Sequence, residues 1–316
     1  MHAKQRGLIG VGGVLFSLFC TACSPIEVGM IEQDRFATIS HRQLPGNRIG
    51  YRFHEHEPII YGPVPSDLVE AGIEPTEVDR LEQVYSTRPK VVRYVVDLSH
   101  QEGWAPQQWT FYLAPTRDGV DLLLIIETQA TGLNNYYGIQ QCFRLTGETN
   151  AAWRHAVALT PAFSEFDLWA EEAKNNAPRT SLSYVLRTDV WEPLPPKHET
   201  VGARTPHGVE IDSMMTGGRL EKMPLVGPYN AEMGASIDSG LVSRVNREKT
   251  WVCGIYWERT SHVTNHHPAD CLHSIVNIGG LPPYGKRAIR GKIYWFSGSL
   301  DDLIRRWKRD FSGVPY

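Results

Sequence analysis

What the sequence does without narrows its function first. It has no GxSxG nucleophile elbow, no glycine-rich phosphate loop and no dinucleotide fingerprint, so serine-esterase, NTPase and Rossmann readings lose support. Lysine and arginine number 32 against 35 aspartates and glutamates, and without a basic surplus nothing points to nucleic acid. The apolar run near the start, residues 8–19, is too short for a spanning helix. Of the 5 cysteines, those beyond Cys23 are Cys142, Cys253 and Cys271, an odd number that cannot pair completely. Cys253 and Cys271 flank a histidine-rich stretch and either staple it or stand as buried thiols. There is no internal repeat and no low-complexity tract.

What is present begins with an address. Lys4 and Arg6 precede the apolar run, and small residues Thr21 and Ala22 follow it, which is the layout of a secretory signal peptide over residues 1–22. The ending CTAC, with Ser24 next, resembles the processing site of bacterial lipoproteins, in which the cysteine becomes the lipidated first residue. Here that residue is Cys23, and Cys20 stands where that family usually has Leu. The resemblance covers residues 1–24 and implies nothing about activity. The expectation is an exported protein of the outer membrane or periplasm, held to the membrane by a lipid anchor.

Residues 23–90 carry scattered prolines and few apolar runs, and read as a tether followed by irregular and helical chain, with one helix starting at Pro75. From residue 91 strand patterns dominate to residue 316, interrupted by a Pro-rich joint near 192–200. VVRYVVDL, WTFYLA, VDLLLIIET and YYGIQQCFRL follow one another across short turns, which predicts an antiparallel meander. VDLLLIIET is apolar at both phases and belongs in a sheet covered on both sides. Helical spacing over residues 149–174 predicts a short helical insertion, and GVEIDSMM reads as a strand. The chain closes on an amphipathic helix capped by Ser299, with Asp301 and Asp302 in its first turn and Arg305, Arg306, Lys308 and Arg309 towards its end. The predicted class is mainly β, an antiparallel β-sandwich with large sheets, a short helical insertion and a C-terminal amphipathic helix.

Chemistry concentrates between residues 250 and 298. In WVCGIYWER, Trp251, Cys253, Ile255 and Trp257 share one face of a strand, and Val252, Tyr256 and Glu258 share the other. SHVTNHHPADCLH reads as a loop bearing His262, His266, His267, Asp270 and His273. His262, His266 and Asp270 are the candidate ligands of a divalent metal, although the stretch has neither HExxH nor paired Cys spacing. Without a metal, His266, His267, Tyr256, Arg259 and Glu258 are the residue types that attack on a sugar requires: a proton acceptor, a holder for a uronate carboxylate and an acid for the leaving oxygen. Glu127, Glu165, Asp167, Glu210 and Asp212 are further acids able to join such a site. Tyr136, Tyr137, Gln141, Asn265 and Trp257 are candidate contacts to a hydroxyl-rich ligand, since flat rings and amides suit sugars. The plainer role for each of these residues is to fill the core or to satisfy buried backbone. The sequence therefore supports a carbohydrate-binding envelope protein, with lyase or hydrolase activity as its extension. The rivals are a non-catalytic docking lipoprotein and a periplasmic metal binder.

Overall fold

A computed structural model describes residues 24–31, 36–53, 59–63, 66–69, 75–99, 105–145, 182–194, 201–220, 232–233, 236–266 and 271–312. Two sheets, antiparallel except where β11 (Val201–Arg204) meets β12 (Glu232–Met233), face each other across a continuous apolar interior, as the alternation of the strands requires. The first sheet is built from β1 (Ile26–Ile31), β2 (Phe36–His41), β3 (Arg48–Arg52), β4 (Ile59–Pro63), β8 (Leu133–Arg144), β11 (Val201–Arg204), β12 (Glu232–Met233), β15 (Thr260–His266) and β16 (Cys271–Leu281). The second holds β5 (Val92–Asp97), β6 (Gln107–Pro115), β7 (Gly119–Thr128), β9 (Ser183–Arg187), β10 (Val190–Pro193), β13 (Val242–Val245), β14 (Trp251–Trp257) and β17 (Lys286–Ser297). Their orders are β1-β2-β3-β8-β16-β15-β11-β12, with β4 also on β8, and β10-β9-β13-β14-β17-β7-β6-β5.

Parity decides which side chains enter the interior. On β14, Cys253, Ile255 and Trp257 face it, as do Ile293 and Trp295 of the neighbouring β17. Val252, Tyr256, Tyr294 and Phe296 face outward, where α3 (Leu300–Asp310) covers them with Leu303 and Trp307. Ser299 and Asp302 form a reciprocal cap at the start of α3, satisfying amides that the first turn leaves open. On β7 the same alternation sends Leu122, Leu124 and Ile126 inward, and Leu123 and Ile125 under α1 (Pro75–Ser86). The expected cover on both faces of this strand is thus an interior on one side and a helix on the other.

Four expectations are corrected. The segment before residue 90 is not mainly irregular: β1 to β4 lie in it, and Ile26, Ala37, Ile39, Ile49 and Tyr51 reach the interior. The meander holds for β5, β6 and β7, but β8 crosses to the first sheet, where it pairs with β16. The histidine-rich stretch is largely two strands, β15 and β16, because its polar residues lie on a sheet face that is itself polar. GVEIDSMM is helical, within α2 (Pro206–Thr216): Thr205 accepts from Gly208 N and Pro206 occupies the first turn. Residues 149–174 lie outside the described residues.

Candidate functional site

The outer face of the first sheet is polar and yet buried. Gln140, Cys142 and Arg144 of β8, Cys271, His273 and Asn277 of β16, and His262 and Thr264 of β15 all project there, opposite in parity to Phe143, Leu272 and Val263 of the interior. α2 lies against β11 and β15, and its approach is close: a Cβ on Gly208 would stand 2.1 Å from Ser261 O. Only glycine permits that contact.

Where the start of α2 meets the turn joining β14 to β15, a cavity of about 280 Å3 opens. Its walls include His207, Glu210, Asp238, Tyr256, Trp257 and Arg259. Arg259 holds a positive φ of 61°, a conformation in which a side chain costs roughly 1–2 kcal/mol relative to glycine. Its Nε donates to Asn277 O at 2.9 Å, and its own carbonyl accepts from Asn277 N at 2.9 Å, so the guanidinium has a fixed root. The Asn277 side chain is oriented by Gly279 N, which donates to its Oδ1 at 2.9 Å, leaving its amide nitrogen to donate to His207 Nε2. The neutral His207 ring thus carries its proton on Nδ1, 3.5 Å from Glu210 Oε2. Glu210 itself is largely exposed, with its side chain 65% accessible.

The structure distributes the residues expected from the sequence. Tyr256, Trp257 and Arg259 meet at the cavity, but both rings are buried and serve as wall rather than platform, Tyr256 lying edge-on to Trp307 at 5.5 Å. Glu258, next to Arg259, is engaged by Arg290 through both the backbone amide and the guanidinium, at 2.6–2.9 Å. Gln141 accepts from the Tyr51 hydroxyl in the interior, and Asn265 Oδ1 accepts from Arg244 at 3.0 Å. His262 lies 3.6 Å from Asp212 and beside the Ser261 hydroxyl. Burial opposes ionisation of Asp212, but His262 and Arg204 outweigh it and hold the carboxyl below its usual range. Tyr136, Tyr137 and His266 sit on described strands, while His267 and Asp270, with Cys23, lie outside the described residues, as do Glu165 and Asp167. Glu127 pairs with Lys286. No disulfide joins Cys142, Cys253 and Cys271. Sequence reasoning missed His207 and Asp238, which come from separate segments; the cap signal Thr205-Pro206 is the one clue that pointed to the first.

No family model and no curated protein matches the sequence. Among solved structures, a provisionally assigned aldose 1-epimerase from Escherichia coli K12 is similar over 86% of this chain and 99% of its own, at a TM-score of 0.37 and 9% identity. A galactose mutarotase-like protein from Clostridium acetobutylicum is similar over 86% and 98%, at 0.37 and 7%. A protein from Synechocystis sp. PCC 6803 is similar over 87% and 96%, at 0.34 and 7%. These likenesses are too distant to transfer a reaction or a residue role.

Proposed function

We propose that the protein is an exported, lipid-anchored envelope protein that binds a carbohydrate in the cavity between α2 and the β14–β15 turn. The observation that carries this reading is the lining, which includes two carboxylates, hydroxyl-bearing residues and a guanidinium (Glu210, Asp238, Ser239, Thr260, Arg259) around about 280 Å3. Pockets for drug-sized ligands run from about 300 Å3 upward, so this volume suits one sugar ring or a chain end rather than a stretch of polymer. Such a ligand offers hydroxyls that both donate and accept, and the lining supplies partners for both. Cleavage would rest on Glu210 and Asp238 as the paired acids, with His207 as the proton-bearing neighbour of Glu210.

The anchor reading gains support from the other end of the chain. Ser24, one residue beyond Cys23, is tied to Thr116 O through its hydroxyl and to Arg42 through its carbonyl. Thr116 and Arg117 border a groove that also holds Arg305, Arg306 and Arg309 of α3. A lipid on Cys23 would therefore bring this groove, whose α3 arginines pair with Asp118 and Asp302, near the headgroups. Fatty-acid labelling lost in Cys23→Ser tests the anchor. Saturation-transfer NMR against a panel of neutral sugars and uronates tests the cavity; binding of none of them, or equal binding by Arg259→Gly, would sink the carbohydrate reading.

A further inference from the structure

On the polar face of the first sheet, away from the residues that line the cavity, Cys142, Cys271 and His273 bring one ligand atom each to within 4.8 Å of one another. Register explains the convergence. Cys142 of β8 pairs directly with His273 of β16, and Cys271 precedes His273 by two residues, so all three project from one face of adjacent strands. All are buried: Cys142 and Cys271 are 0% exposed and His273 is 2% exposed.

We propose that these three residues hold a thiolate-preferring metal ion of the Zn2+ class. Two sulfurs and one imidazole are the donors that select such an ion over oxygen-seeking cations. Ligand atoms around a tetrahedral zinc stand roughly 3.3–3.8 Å apart, given bonds of about 2.3 Å to sulfur and about 2.0 Å to nitrogen. The three therefore need only small side-chain adjustments. An outer partner is already in place, because the Thr264 hydroxyl lies 2.9 Å from His273 Nδ1. Coordination through Nε2 keeps that bond, which fixes the tautomer and the ring plane. Three protein ligands leave the fourth position to water or to a donor on another molecule. This site differs from the histidine and aspartate set expected from the sequence, sharing only the neighbourhood, and it does not depend on the carbohydrate reading.

The test is a titration of the reduced full chain with Zn2+, and separately with Co2+ as a visible reporter. Cys20→Ser and Cys23→Ser in the background remove the leader thiols. One equivalent of metal is expected, with thiolate charge-transfer and tetrahedral cobalt absorption. Cys142→Ser and Cys271→Ser should each abolish the charge-transfer signature, Thr264→Val should weaken binding about 10–100-fold, and Cys253→Ser, altered on the second sheet, should bind normally. X-ray absorption of the zinc-loaded parent needs no folded variant and should show two sulfurs and one nitrogen. Failure of the reduced chain to take up metal, a shell of oxygen and nitrogen alone, cobalt spectra unchanged in both cysteine variants, or a Cys142–Cys271 disulfide in the native protein would each overturn the proposal.

Discussion

Arg244 of β13 reaches across the interior of the sandwich and donates to Asn265 of β15, Nη2 to Oδ1 at 3.0 Å, with both residues 0% exposed. Ser183 Oγ accepts from its Nε at 2.9 Å. A guanidinium so placed is tolerated only while it keeps its acceptors. Asn265→Ala should lower the unfolding free energy by about 2–3 kcal/mol by removing one of them, whereas Arg244→Met, which removes charge and bond together, should cost less. Urea melts of the two variants check the order. Sugar affinity per folded molecule should be unchanged in Asn265→Ala, since Asn265 faces the interior rather than the cavity.

Arg259 separates stability from binding. Glycine at this position relieves the left-handed backbone by about 1 kcal/mol and gives up a hydrogen bond to Asn277 O worth about the same. Arg259→Gly should therefore melt within a degree or two of the parent and lose at least tenfold in sugar affinity by calorimetry. Glu210→Gln should lower affinity less, and should abolish release of reducing ends if the protein cleaves its ligand.

His41 packs edge-on against Trp251 at 4.9 Å and near Trp295 at 5.4 Å, and burial pulls its pKa down to about 4. Gln43 N donates to its Nδ1 at 3.2 Å, which the neutral ring alone accepts. The unfolded chain takes up the proton near pH 6.5 and the folded one only near 4, so stability is full above the first value and falls through the window between them. The loss should be at most about 3 kcal/mol. A Tm-against-pH series should slope downward on acidification from 6.5 to 4, and His41→Gln should flatten that slope.

Beneath α3, Lys292 lies 2.9 Å from Asp118, 3.3 Å from Asp121 and 2.8 Å from Asp310. Burial works against the Asp118 carboxylate, but Lys292 and Arg306 overcome it and depress its pKa. That contribution is complete above the unfolded aspartate value of about 3.9 and is lost as the pH drops below it. Acidification below about pH 4 should change Trp307 fluorescence as α3 loosens. Lys292→Met removes the cation that Asp118, Asp121 and Asp310 share but leaves them Arg306, Arg309 and Arg88, and should cost about 1–3 kcal/mol at neutral pH.

Much of the architecture was legible because the aromatic strands β14 and β17 obey period two. Cys253, Ile255 and Trp257 enter the interior while Val252 and Tyr256 leave it, and the cap at Ser299 marks the start of α3 as the sequence implies. Legibility failed where burial and polarity coincide. His262, Thr264 and His273 are buried on a sheet face that carries no apolar alternation, so the stretch reads as a loop. Val209 and Ile211 mimic a strand pattern inside α2, and only the Thr205 cap with Pro206 decides for helix. The cavity draws on residues near 207, 238 and 259, and the three buried ligands on positions near 142 and 272; no spacing in one dimension records such meetings.

The Thr205 hydroxyl donates to Thr260 O at 2.6 Å and accepts from Gly208 N at 3.1 Å. One atom thereby rivets the first turn of α2 to the hairpin that bears Arg259. A guest would find this corner of the receptacle already assembled. Entry should then be as quick as encounter allows, and dwell time alone should distinguish a preferred sugar from a passing one.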